Sequence, residues 1–102
     1  MIADVISKPV YRVLADLTQE ARIEVALPLA IKEWVALKLQ ETQKQLKSFE
    51  ATYGMNFETF EKAWHAGHIP NQYSYEVEQD FWEWEAAISD EQRLTAMIES
   101  LA

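Results

Sequence analysis

Apolar residues recur at helical spacing along most of this chain, and the breaks in that pattern divide it into elements. Val10, Val13, Leu14 and Leu17 share one face of a short helix that Pro9 can open at its first turn and Thr18 can break or cap. Over residues 22–27 the period shortens to two, with Ile23, Val25 and Leu27 alternating with Arg22, Glu24 and Ala26. That alternation, with Pro28 biasing Leu27 away from the helical region, favours a short strand or extended segment over 22–27. Residues 20–30 are also rich in helix formers, so a helical reading of the same stretch stays open.

A long helix is predicted from about residue 29 to residue 53. Val35, Leu39, Thr42, Leu46, Phe49 and Tyr53 follow at steps of four and three, a heptad-type seam in which Thr42 is the single polar break. A seam this short is more often a core stripe than a coiled coil, but Val35, Leu39, Leu46, Phe49 and Tyr53 also suit a homodimer or adaptor interface. Gly54 supplies a left-handed cap. Asn56 caps the next helix, predicted over residues 57–66, with Met55 and Phe60 as a hydrophobic staple and Phe57, Phe60 and Trp64 turned inward. Residues 68–74, with Pro70 and Asn71, read as a loop. Ser74 caps a helix over 75–88. Ser89-Asp90-Glu91-Gln92 then has capping-box form, which predicts a last helix over 90–101. The expectation is a single, mainly α-helical domain over residues 1–102, with four or five helices and a short N-terminal strand.

Composition narrows the class. Two glycines and three prolines are too few for the many turns of a sandwich or barrel. Without cysteine there is no disulfide framework and no thiolate metal site, which fits a reducing compartment. The N-terminus lacks the basic flank and apolar run of a signal peptide, and no apolar stretch approaches the roughly 20 residues that span a bilayer. The chain is therefore expected to be cytoplasmic.

Charge changes the picture more. Residues 1–51 carry seven Lys/Arg and seven Asp/Glu. Residues 52–102 carry two, Lys62 and Arg93, against ten, so the whole net charge of -8 lies in the second half. Such a balance disfavours nucleic acid and anionic membranes as partners, although the neutral first half leaves room for a local basic site.

Within residues 73–91 there are seven carboxylates, no lysine or arginine, and both Trp82 and Trp84. Val77, Phe81, Trp84 and Ile88 form an inward stripe, and Trp82 lies about 160° from Trp84 on a helical wheel. One core cannot take both rings. Either Trp82 lies across a neighbouring helix of a solvated acidic face, or it anchors a surface for a basic protein while the carboxylates steer the approach. On the second reading Tyr75, Glu78, Asp80, Trp82, Glu83 and Glu85 are the partner-binding residues.

Other chemistry is weakly signalled. Glu61, His65 and His68 have metal-ligand types at near-helical spacing, but Gly67 ends the helix before His68 and spoils the shared face. Carboxylate pairs such as Glu76/Asp80 and Glu78/Glu85 are placed by no motif, and there is no glycine-rich phosphate loop. No catalytic residue, metal or cofactor is predicted, and the chain reads as non-enzymatic.

Two stretches carry a resemblance. Tyr53-Gly54-Met55-Asn56-Phe57-Glu58-Thr59-Phe60 is followed by Ser74-Tyr75-Glu76-Val77-Glu78-Gln79-Asp80-Phe81-Trp82-Glu83-Trp84-Glu85, after a lead of Ala26-Leu27-Pro28-Leu29-Ala30-Ile31-Lys32 into the long helix. The pattern, covering residues 26–90, resembles small prokaryotic proteins associated with toxin–antitoxin-type gene pairs, as the antitoxin member. The resemblance implies a basic protein partner, such as a toxin ribonuclease encoded by the adjacent gene. Arg22 to Pro28 also looks like the strand-then-helix opening of a ribbon-helix-helix repressor. There the first helix is short and a glycine turn follows; here it runs past twenty residues, and Glu24 would face the groove, which argues against DNA binding.

Overall fold

The structure is a computed structural model and describes residues 6–101. Four helices make up the described chain: α1 (Lys8–Thr18), α2 (Ile23–Tyr53), α3 (Phe57–His65) and α4 (Tyr75–Leu101). α4 runs back along α2, and α1 packs against the opposite, N-terminal end of α2. The molecule is elongated, with principal extents of 56 × 25 × 22 Å and a Cα radius of gyration of 19.5 Å. A compact chain of this length would have a radius near 13 Å.

α1 opens with Pro9 in its first turn, where a missing N–H costs nothing. It closes on Gln19 in the left-handed region, whose N–H, like that of Glu20, donates to the Ala15 carbonyl. The turn into α2 is tied locally. The Glu20 carboxylate accepts from the backbone N–H and the Nε of Arg22, at 3.0 and 3.1 Å, and the Tyr11 hydroxyl donates to the Ala21 carbonyl.

The strand expected over residues 22–27 is helix instead, and among the described residues there is no strand. Ile23 and Ala26, three apart, are both buried against Leu14 of α1, so the helical period prevails over the alternating one. Pro28 therefore sits inside α2, as its sixth residue, and leaves the Glu24 carbonyl without the usual helical donor. α2 is thus 31 residues long and ends on Gly54, whose positive φ of 68° suits only glycine without strain.

Asn56 caps α3 as predicted, its Oδ1 accepting from the Thr59 N–H at 2.9 Å. The loop from His68 to Ser74 is held by Gln72, a buried polar side chain. Its Nε2 donates to the Trp64 carbonyl at 2.8 Å, and Ile69 beside it is buried. Ser74 caps α4, its Oγ accepting from the Val77 N–H at 3.3 Å.

The break expected at Ser89 does not occur: α4 is one continuous helix of 27 residues, making four helices and not five. No glycine or proline interrupts residues 75–101, and Trp84, Ala87 and Leu94 keep up one buried stripe across the would-be boundary. The long α2 gives that stripe a surface to follow.

The main core joins the C-terminal half of α2 to α3 and α4. Leu46, Phe49, Phe60, Ile69, Phe81, Trp84 and Ala87 form it, with Tyr53, Phe57, Trp64, Val77 and Ile88 packed around. Trp84 is fully buried at its centre, with the rings of Phe49, Tyr53, Phe57 and Phe60 all within 5.8 Å, centroid to centroid. Its indole Nε1 finds no hydrogen-bond acceptor among the described residues, a cost that the aromatic packing must exceed. A second, much smaller core at the N-terminal end consists of Leu14, Ile23 and Ala26, flanked by Ile6, Leu27 and Ala30.

The heptad-type seam is a core stripe. Val35, Leu46 and Phe49 are buried and Leu39 and Tyr53 half-buried, with Leu46, Phe49 and Tyr53 in the main core beside α4. A homodimer built through Leu46, Phe49 and Tyr53 would first have to displace α4.

Candidate protein-binding surface

α4 has two faces because its buried stripe is narrow. Val77, Phe81, Trp84, Ala87 and Ile88 turn towards α2 and α3. Gln79, Trp82, Glu83 and Glu85 between them are exposed, and the two tryptophans take opposite roles, as the wheel predicts. Trp84 is wholly inside, and Trp82 is 63% exposed. Its ring stands nearly perpendicular to that of Phe81, with centroids 5.5 Å apart.

The outer face gathers most of the sequence-predicted residues. Tyr75, Glu78, Gln79, Trp82 and Glu83 line one shallow depression, with Tyr75 at 77% exposure. The two rings stand seven residues apart, about 10 Å along the axis, on one side of the helix. Gln79 lies between them and donates from Nε2 to the Glu83 carboxylate at 2.9 Å. Glu85, three residues past Trp82, is exposed beside this group without lining the depression.

Asp80 is placed elsewhere. It is half-buried on another face of α4, and its carboxylate accepts a hydrogen bond from the Tyr53 hydroxyl at 2.5 Å. Burial first, then this bond and the nearby negative charge, hold the Tyr53 hydroxyl well above its ordinary pKa. Asp80 thus ties α4 to the end of α2.

Two exposed groups were missed by the sequence reading. Tyr73, just ahead of α4, is more exposed than Tyr75, and Gln79 sits at the centre of the depression. Helical spacing from Tyr75 would have found Gln79. Tyr73 lies in a loop, where no period applies.

What such a face can do follows from its parts. Exposed aromatic rings flanked by carboxylates attract lysine and arginine side chains through ring quadrupoles and through charge. No positive charge competes between residues 73 and 91. His65 and His68 are both exposed, and α3 ends at His65, with Gly67 at φ 74° before His68. Among the described residues no three His, Asp or Glu side chains come together as a metal site, and no helix is long and apolar enough to cross a membrane. Comparison of the chain with protein-family models, with curated proteins and with solved structures finds no match.

Proposed function

We propose that the chain is a non-enzymatic, antitoxin-like binding module that neutralises a basic protein, such as a toxin ribonuclease, in the cytoplasm. One observation carries this reading: Trp82 is largely exposed on an arginine- and lysine-free stretch of helix, among the carboxylates of Glu78, Glu83 and Glu85 and near the still more exposed Tyr75. A large ring left exposed is costly unless a partner covers it, and aromatic anchors of this kind are typical centres of binding energy. In mechanism, Trp82 is buried at the middle of the contact. The surrounding carboxylates occupy the cationic site with which such a toxin grips RNA phosphates, and they speed encounter at low salt.

The test is co-expression with the product of the adjacent gene, followed by pull-down and titration. Trp82→Ala combined with Glu83→Lys is expected to weaken the complex by at least about thirtyfold, the scale of losing one binding hot spot. Binding as tight as that of the parent would show that this surface is the wrong one.

A further inference from the structure

The N-terminal end of the molecule holds a second exposed surface, of opposite character. The apolar stripe of α1 is centred on Val10, Val13, Leu14 and Leu17, but only Leu14, at its edge, is buried against α2. Val10, Val13 and Leu17 are 57%, 59% and 76% exposed. The surface around them continues onto α2, where Leu17 borders a groove formed with Ala30, Trp34 and Leu37, and Trp34 and Leu37 are 61% and 47% exposed. An amphipathic helix that turns its apolar side to water has no fold-internal reason to be amphipathic.

We infer that this face of α1 and α2 is a self-association surface, covered in solution by the same face of a second copy of the chain. Two arguments select that occupant. The first is area. The five exposed side chains together offer on the order of 500 Å² of apolar surface, towards the top of what a monomer's largest patch shows. Packed on its own image with a polar rim, such a patch approaches the roughly 800 Å² per partner of a stable interface.

The second argument is charge. Each copy carries its net -8 beyond residue 51, so two copies repel wherever their C-terminal halves meet. Residues 1–51 sum to zero, and both signs stand beside the patch: Glu33 lines the groove with Trp34, and the Lys38 ammonium lies over the Trp34 ring at 4.9 Å. A two-fold contact sets a surface against itself, and a patch whose rim carries both signs can form ion pairs across the axis where a single-signed one cannot.

Sedimentation velocity of the full chain from about 1 to 100 μM tests this, with helix content followed by circular dichroism. The parent is expected to sediment as a dimer at the upper end of the range. Val13→Glu combined with Leu17→Glu, both exposed and outside either core, is expected to raise the dissociation constant at least about a hundredfold with helix content unchanged. Trp34→Glu serves as a second, independent variant on the other helix. A chain that stays monomeric throughout overturns the inference, whether residues 1–5 or an unrelated protein takes the surface instead. A dimer that ignores all three substitutions overturns it equally, because its interface then lies elsewhere.

Discussion

Replacing Trp84 with alanine removes the ring that four other aromatics enclose, and chemical denaturation should show a loss of about 3–5 kcal/mol. Trp82→Ala, two positions away, should shift stability by no more than about 0.5 kcal/mol, because that ring is mostly in water. Tyr53 supplies a pH dependence. Its hydroxyl is held above the ordinary phenol value near 10, so the folded form keeps its proton after the unfolded form has lost it. The associated stability is fully present below about pH 10 and is lost as pH rises beyond it. Tyr53→Phe should flatten the alkaline limb of a stability–pH profile, with a lower stability at neutral pH for the missing bond to Asp80. At this scale the sequence was a good guide wherever helical phase decides burial, as with Trp82 and Trp84. It misplaced Asp80, since spacing along α4 carries no information about the hydroxyl that arrives from α2.

At the scale of elements, α2 and α4 were legible in type and less so in extent. Seam, cap and staple signals located the helix ends at Gly54, Asn56 and Ser74, each of which makes its expected backbone contact. Two errors share a cause: local punctuation was outweighed by packing. Pro28 and the period-two run argued for a strand, but Ile23 and Ala26 reach Leu14 only if the backbone is helical. Ser89-Asp90 argued for a break, but the buried stripe from Trp84 to Leu94 continues through it. Pro28→Ala would return a donor to the Glu24 carbonyl and remove the ring from the helix interior. It is expected to raise the melting temperature, by an amount corresponding to at most about 3 kcal/mol, with the helical signal preserved. A lower melting temperature would mean that the proline fits its site better than an open helix does.

For the whole molecule, the unequal cores predict unequal opening. Among the described residues the N-terminal cluster buries Leu14, Ile23 and Ala26, whereas the aromatic core ties three helices together. In native-state hydrogen exchange, α1 and the first turns of α2 should therefore exchange well before the C-terminal half of α2 and the first half of α4, and self-association should slow α1 selectively. The polarised charge was fully legible in the sequence; the elongated shape was not, because length and composition do not report which helix ends lie together. That shape has a consequence for how the protein can change. Some forty ångströms of α2 separate the α1 contact at Ala26 from the aromatic core at Tyr53. Substitutions around Val13 and around Trp82 share no partner, so their free-energy effects should simply add. One end can be redrawn for a new ligand while the other keeps its shape, and each face is free to drift at its own rate.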